Sequence, residues 1–458
     1  MSRRIRIIGA GLAGSEAAWQ LAERGHQVDL YEMRPHQQTA VHVSDGLAEL
    51  VCSNSLKSLV ANSAAGCLKY ELAALGSFVL EKALATQVAA GKALAVDRQL
   101  FSAAVTAELS GHPRVNVIRR EFTDFDSLLA SPEPAIIAAG PLCSAALAAA
   151  LARRLGVEQL AFYDAAAPIV EAASLDRDRL FSQSRYVRGS SDYLNAPLDR
   201  EQYEHLVSEL TSGRRTIQRD FEAAELFQAC QPVEELARRG VDVLRYGALK
   251  PVGLIDPTTG RRPWAVVQLR AENRQRSAYN LVGFQTNLAF DEQKRIFRLI
   301  PGLEAAEFSR YGVMHRNSFI NAPQLLTPGL AWRAVPHVYF AGQICGTEGY
   351  LEAVASGLVA ALAVHAQSCG LKEPLLPPQS AFGSLLAYAT DPLTQNYQPM
   401  HVNYGIMVPL ESVPSRKAQR YEHYARRAAA AIDGFRAERA DLGFLPRLDD
   451  GFLVRAED

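Results

Sequence analysis

The sequence predicts an α/β fold in which one doubly wound domain is divided by an inserted α+β domain. Three observations predict it. Arg4 to Ile8 is a short isoleucine-rich run of the kind that forms a buried parallel strand. Glycines follow at positions 9, 11 and 14, then a helix-forming stretch and a second strand-like run. Near the far end, His337 to Gln343 (HVYFAGQ) and Gly349 to Ala361 (GYLEAVASGLVAA) again give strand, loop and helix. The doubly wound domain is therefore expected from residues 1–150 and 325–458, with 151–324 as the insertion.

The N-terminal unit has a specific physical reading. Gly9 permits a tight turn, Gly11 lets a phosphate approach the backbone, and Gly14 lets helix and strand pack closely. With Ala10, Leu12 and Ala13 between them, these residues form a GxGxxG loop that aims a helix N-terminus at a pyrophosphate. Ser15 to Arg24 has helix-forming composition and Gly25 closes it. His26 to Tyr31 reads as the second strand and ends at Glu32, which is placed to accept hydrogen bonds from ribose hydroxyls. A lone GxGxxG is weak, but strand, helix, second strand and acidic residue occur here in order.

FAD, rather than NAD alone, is indicated by the remaining segments. Val96-Asp97-Arg98, followed by Phe101, resembles a segment of large FAD oxidoreductases that returns the chain to the nucleotide domain. Ala135 to Gly140 (AIIAAG) resembles the strand those proteins place over the dinucleotide. The loop before the helix near residue 350 can aim N–H groups at a flavin whose reduced form is anionic. A discontinuous Rossmann-like FAD-binding domain of glutathione-reductase type follows. Arg98, Gly140, Gly342 and Gln343 join the expected cofactor contacts.

Bulk properties bound the alternatives. A chain of 458 residues with 48% hydrophobic and 21% charged residues reads as a globular enzyme of two or three domains. The net charge of -1 gives no global attraction to nucleic acid, so an RNA site must be a local basic patch. Six cysteines without a CxxC pair form neither a disulfide framework nor a structural zinc site, and suit a reducing, cytoplasmic setting. The basic-then-apolar N-terminus is interrupted by Glu16 and Glu23, so it is not read as a signal peptide. The apolar stretch from Pro134 to Ala152 contains Gly140 and Pro141 and reads as strand, turn and helix, not a membrane span.

In the middle segment, β-prone runs alternate with charged helices, including Gln218 to Ala229 and Val233 to Arg239. Arginines recur as Arg214-Arg215, Arg238-Arg239, Arg261-Arg262, Arg270, Arg274 and Arg276. Solvated surface is the plain reading, and phosphate contact with RNA the functional one. Tyr186, Tyr193 and Tyr246 are candidates for base stacking, against half-buried core.

Further segments go beyond a generic flavoprotein. Ala48 to Ser58 (AELVCSNSLKS), Cys230 to Gly240 (CQPVEELARRG), Gly283 to Asn287 (GFQTN), Ile300 to Phe308 (IPGLEAAEF), Arg310 to Asn317 (RYGVMHRN) and Gln398 to Tyr404 (QPMHVNY) closely resemble the folate- and FAD-dependent tRNA (uracil-5-)-methyltransferase family. The resemblance runs over nearly the whole chain. It implies that NAD(P)H reduces FAD, and that methylenetetrahydrofolate supplies a one-carbon unit reaching uracil C5 through the flavin. The product would be ribothymidine in the T-arm of tRNA. No membrane association and no obligate protein partner are expected.

The residues suit that chemistry. Uracil C5 becomes nucleophilic when a thiolate adds to C6, and a base must later remove the C5 proton. By the resemblance, Cys230 is expected as the nucleophile, and Cys52 as the acid/base or second thiol, with the roles exchangeable. Cys230 lies near Arg238, Arg239 and an expected helix start at Pro232, which favour a thiolate. Cys67, Cys143, Cys345 and Cys369 read as small buried hydrophobes. His315, with Arg316 and Asn317, reads equally as a folate or uracil contact and as a satisfied core histidine. Four rivals stand beside this reading: the same reaction on ribosomal RNA, the larger flavoprotein that modifies wobble uridines, a flavoprotein oxidoreductase acting on a small molecule, and a non-catalytic flavin-binding scaffold. The second is disfavoured because the chain ends at Asp458, without that family's long helical extension.

Overall fold

The computed structural model describes residues 3–39, 41–155, 160–185, 191–217 and 231–455, with the backbone alone at 160–163 and 315–316. The strands expected at the two ends of the chain share one six-stranded sheet. Its order is Ala331–Trp332, Val335–Phe340, Ala135–Ile137, Arg4–Ile8, Gln27–Glu32, Val115–Arg119. All neighbours run parallel except the first pair. Ile7 pairs with Leu30 on one side and Ile136 on the other, and all three are fully buried. Apolar residues at nearly every position are what a strand covered on both faces requires.

Two helices cover this sheet where the nucleotide loop lies. Leu12–Glu23 starts earlier than the composition from Ser15 suggested, because Gly14 is itself helical. A Cβ on Gly14 would stand 1.8 Å from the Gly9 carbonyl oxygen, so only glycine allows the first turn to begin there. Tyr350–Cys369 crosses the first helix closely: a Cβ on Gly357 would meet the Ala13 carbonyl at 2.2 Å. That second helix is longer than the expected Gly349–Ala361, since its apolar run continues until Gly370 ends it in the left-handed conformation. It is long and apolar enough to cross a membrane, yet 89% of that window is buried inside the fold, as in a core helix.

The insertion has its own antiparallel six-stranded sheet, in the order Phe181–Ser182, Tyr193–Leu198, Ala265–Ala271, Ala278–Leu281, Ile169–Glu171, Phe308–Arg310. Its hydrophobic core, built on residues such as Val170, Leu206, Val267 and Phe297, is separate from that of the nucleotide domain. The chain enters and leaves the insertion along one two-stranded ribbon, Leu160–Ala165 against Met314–Phe319. The helix expected to start at Pro232 is Val233–Arg238, with Pro232 as its N-cap residue. The helix expected over Gln218 to Ala229 lies outside the described residues.

Many of the recurrent arginines have protein partners. Arg214 pairs with Asp291, and Arg215 and Arg238 both reach Glu235. Arg270 is buried and donates to Asn54 Oδ1 at 2.7 Å and Ser53 Oγ at 2.8 Å. Arg274 donates to the carbonyl oxygens of Ala85 and Gln87. Tyr193 is half-buried and its hydroxyl donates to Ala90 O, whereas Tyr246 is 75% exposed. Tyr186 lies outside the described residues.

Candidate active site

A cavity opens at the C-terminal edge of the parallel sheet, the side on which doubly wound sheets bind ligands. Gly9, Gly11, Leu12, Ala13, Glu32, Gly140, Gly342 and Gln343 all stand in its wall. Gly11 is the N-cap of the first helix and has no side-chain cap, so the helix's first N–H groups remain available. A Cβ on Gly11 would meet nothing within 4 Å, which places open space in front of that helix end. Gly9 holds φ +100° and a Cβ there would lie 2.5 Å from Ala138 O, so the turn itself demands glycine.

Glu32 sits deeper in the wall. Its Oε2 accepts the Ala10 N–H at 3.2 Å, and its Oε1 accepts the Arg34 N–H and Nε at 3.1 and 2.8 Å. Burial opposes its ionisation, but the hydrogen bonds and charge of Arg34 hold its carboxyl below the usual range. Arg34 in turn reaches Glu49 at 2.7 Å. An uncapped helix end facing empty space and an ionised carboxylate beside it at the tip of the neighbouring strand fit the pyrophosphate and ribose of a dinucleotide.

A second cavity shares Val51, Pro141, Leu142, Gln343 and Tyr350 with the first. Cys52, half-buried, stands in its wall. The loop carrying Cys52 is clamped on three sides. Tyr350 Oη accepts the backbone N–H groups of Cys52 and Ser53 at 2.9 and 3.0 Å. Arg98 donates to the carbonyl oxygens of Leu50 and Cys52 at 2.5 and 3.3 Å, and Arg310 donates to Val51 O at 2.7 Å. The Cys52 sulfur itself lies 3.6 Å from Ala165 O.

Arg98 is thus placed behind the cysteine loop, bridging it to Glu272, and is not in the wall of the first cavity. Cys230 lies outside the described residues. The chain resumes at Gln231, and the Val233 N–H donates to the carbonyl of Gln285, a wall residue of the second cavity, at 2.7 Å. Buried Glu234 ties this helix to the GFQTN segment by accepting Thr286 Oγ1 and the Asn287 N–H at 2.9 and 2.7 Å. Burial pushes its carboxyl up to about 7.

The structure adds residues that the sequence did not single out: Tyr350, Glu348, Asp164, Lys57 and Gln285, all in the second cavity. Asn317 joins them, while the side chains of His315 and Arg316 lie outside the description. Glu348 is the notable one. Burial, and then the charge of Asp164, push its carboxyl up to about 8. Its position between Gly346 and Gly349, both at positive φ, was the available clue, since two such glycines mark a backbone bent to present what lies between them.

Two cysteines depart from the buried-hydrophobe expectation. Cys143 is half-buried at the wall of the first cavity, where the loop after Gly140 turns past it. Cys369 is exposed, because it is the last residue of its helix. Cys67 and Cys345 are buried, and burial pushes the Cys67 thiol up to about 12. Cys369, His365 and His26 bring possible metal-ligand atoms within 4.8 Å of one another, but none lines either cavity. His26 Nδ1 accepts the Arg3 N–H, so Nε2 carries the proton that faces His365 Nδ1 at 3.0 Å. That pair is a satisfied hydrogen bond, not two converging lone pairs.

Comparison with known proteins agrees with this geometry. Residues 4–372 match the family model described as GIDA, glucose inhibited division protein A. A methylenetetrahydrofolate--tRNA-(uracil-5-)-methyltransferase TrmFO of Moorella thermoacetica is 52% identical over 431 residues, covering 93% of this chain and 97% of that protein. One of the same name from Pelobacter propionicus is 51% identical, covering 95% of each. Among solved structures, Aquifex aeolicus GidA superposes with a TM-score of 0.69 at 16% identity, covering 98% of this chain and 77% of that one. This last likeness fixes the fold alone.

Proposed function

The chain belongs to the TrmFO family of methylenetetrahydrofolate--tRNA-(uracil-5-)-methyltransferases, and from that premise we propose that it methylates C5 of the T-loop uridine of tRNA with Cys52 and Cys230 as its two working thiols. The observation that carries the reading is the shared wall: five residues line both the cavity that suits a dinucleotide and the one containing Cys52.

Gly9 to Gly14 would hold the pyrophosphate and Glu32 the ribose, while Gly140, Gly342 and Gln343 would border the part nearest the second cavity. FAD, reduced by NAD(P)H, supplies the carriage and reduction of the one-carbon unit that methylenetetrahydrofolate brings. The protein's own part is proton and thiol chemistry. A thiolate adds to uracil C6, pushing the electron pair toward C5, which attacks the electrophilic methylene carbon as that carbon's π bond to its carrier nitrogen opens onto the nitrogen. A second group removes the C5 proton, the electron pair left behind displaces the carrier nitrogen from the methylene, and a hydride, which the reduced cofactor would supply, completes the methyl group and returns the pair that expels the thiolate from C6. Cys230 is assigned the addition and Cys52 the proton.

Support for Cys52 comes from its loop. Two guanidiniums and a tyrosine hydroxyl fix the backbone on either side of the sulfur. Arg98 is a positioning residue in this scheme. Support for Cys230 comes from the anchoring of Val233 to the cavity wall three residues later.

The test is 5-methyluridine formation in tRNA with folate and NAD(P)H each omitted in turn, alongside ribosomal RNA as a competing substrate. Product on tRNA that depends on both is expected. NADH oxidation with no methylated RNA would instead favour an oxidoreductase. A T-arm hairpin carrying 5-fluorouridine should form a covalent adduct with the wild-type chain and none with Cys230→Ala.

A further inference from the structure

We propose that the segment from Arg239 to Trp264, on the insertion, is the face on which the RNA substrate docks, with phosphates on Arg239, Arg261 and Arg262 and one unstacked base on Tyr246. The proposal rests on the reading above and places the body of the RNA outside both cavities. Its starting point is what remains of the recurrent arginines once their protein partners are assigned. Arg214, Arg215, Arg238, Arg270 and Arg274 all have such partners. Arg239, Arg261 and Arg262 are exposed, and their side chains enter no ion pair or hydrogen bond among the described residues.

Short contacts fold that segment onto itself. Tyr203 Oη donates to Val241 O at 2.5 Å and accepts the Arg245 N–H at 3.1 Å. Arg245 Nε donates to Trp264 O at 3.0 Å, and its guanidinium carbon stands 3.8 Å from the Trp264 ring centre. The same guanidinium donates to Tyr246 Oη at 3.3 Å. Arg239 lies two residues before Val241, and Arg261 and Arg262 lie just before Trp264. The three exposed cations therefore border two rings that one guanidinium holds in place.

Chemistry then selects the partner. From 239 to 264 the chain carries five Arg and Lys against two Asp, in a protein whose net charge is -1. One of the two, Asp256, is buried and accepts the Thr258 N–H and Thr259 Oγ1 within its own turn. Tyr246 is 75% exposed, and Val241, Val252 and Ile255 of the same segment are exposed as well. A merely solvated face carries charge without an apolar ring fixed among it. An RNA loop uses both features, since its phosphates pair with guanidiniums and its unpaired bases lie flat on aromatic side chains. An acidic peptide matches the charge and gives the ring nothing to stack on.

The place suits a target uridine as well. The helix Val233–Arg238 starts at the wall of the second cavity, where the Val233 N–H donates to Gln285 O. Arg239 caps its other end, about 9 Å away at 1.5 Å per residue. A few nucleotides of one strand span that distance. A uridine entering the cavity thus leaves its neighbours over the arginines.

The experiment follows a fluorescein-labelled T-arm hairpin binding to the full-length, FAD-loaded protein by anisotropy over a salt series, with methylation kinetics beside it. Arg261→Ala combined with Arg262→Ala should weaken binding by about tenfold and lower the slope of log affinity against log salt by about 1.5. Tyr246→Ala should weaken binding by about tenfold with the slope unchanged, and Tyr246→Phe should bind like the wild type. In the weakened variants KM for RNA should rise while kcat and FAD content hold. Arg153→Ala combined with Arg154→Ala removes the same charge from the helix Ala145–Leu155 and should alter neither affinity nor slope. Unchanged affinity in the Arg261 and Arg262 variant or in Tyr246→Ala, or an equal loss in the Arg153 and Arg154 control, overturns the proposal and leaves the methyltransferase reading standing. A wild type that binds the hairpin through these residues and never methylates it overturns that reading alone.

Discussion

The two cavities share five wall residues, yet the protein builds them in opposite ways. The first is built around one local unit, the turn, helix end and strand tip within Ile8 to Glu32, which segments such as Ala138 to Ser144 and Gly342-Gln343 complete. The second is assembled from side chains on separate segments, including Cys52, Asp164, Gln285, Asn317 and Glu348. A site made by backbone N–H groups is specified by the residues that must be absent, so glycine is obligatory. A site made by side chains is specified by long-range packing. Mutations in the first region should therefore act on the fold or on cofactor binding, and those in the second mainly on the chemistry.

The glycine loop gives the largest expected effects. Gly14→Val drives a side chain into the Gly9 carbonyl, where even a Cβ would sit at 1.8 Å. The expected outcome is loss of about 3 kcal/mol of stability or more, visible as insoluble or early-melting protein. Gly11→Val meets no protein atom at its Cβ. Its chain should fold, melt near the wild-type temperature and purify colourless, because the side chain fills the space a pyrophosphate needs. A yellow Gly11→Val protein would break the assignment of the first cavity.

The cysteines test the other region. Cys230→Ala and Cys52→Ala should each stay yellow and each lose methylation by about 10³-fold or more, with the double variant little worse than either single one. The 5-fluorouridine adduct separates their roles. A variant that still forms the adduct has lost the proton-transfer group, and one that does not has lost the nucleophile. Full turnover in Cys230→Ala would remove that residue from the chemistry.

How much of this was legible follows the same division. The N-terminal strand, helix and strand, and Glu32 at the end, stood out because Gly9, Gly11 and Gly14 have no substitute and lie in one short stretch. The interleaving of Val335–Phe340 beside Ala135–Ile137 was legible as a split domain, since two strand–loop–helix units needed one sheet. Helix limits were not: Gly14 reads as a loop residue until its contact with Gly9 is seen. Tyr350 was hidden as one aromatic residue in an apolar helix, although its hydroxyl holds the Cys52 loop. Arg98 was noticed, but its partners Glu272 and Leu50 O are 174 and 48 residues away. Nothing local in the sequence reports pairings of that range.

Tyr350→Phe gives a smaller effect. It removes the acceptor for two backbone N–H groups at Cys52 and Ser53 while keeping the ring that borders both cavities. An unsatisfied N–H costs about 1–3 kcal/mol, enough to let the loop shift. FAD should be retained and kcat should fall by about tenfold, with little change in KM for RNA. Normal kcat would mean that Arg98 and Arg310 suffice to hold the loop.

The last comparison is a pH dependence of stability, read through one carboxyl in each region. Glu32 is held below the usual range and Glu348 is raised to about 8 from an ordinary value of 4.5. The raised group binds its proton more tightly in the folded chain. Its contribution is therefore fully present below pH 4.5 and is lost as pH rises through 8. Replacing Glu348 with Gln removes that slope. Measured by urea midpoint without folate, the wild type should lose stability relative to Glu348→Gln between pH 5 and 8 and run parallel above it. Glu32→Gln should do the reverse: the wild type gains on it as pH rises through the low carboxylate range and runs parallel at neutral pH. A wild type that gains on Glu348→Gln as pH rises would mean that the carboxyl is already ionised in the folded chain, and that the second cavity is far wetter than its walls suggest.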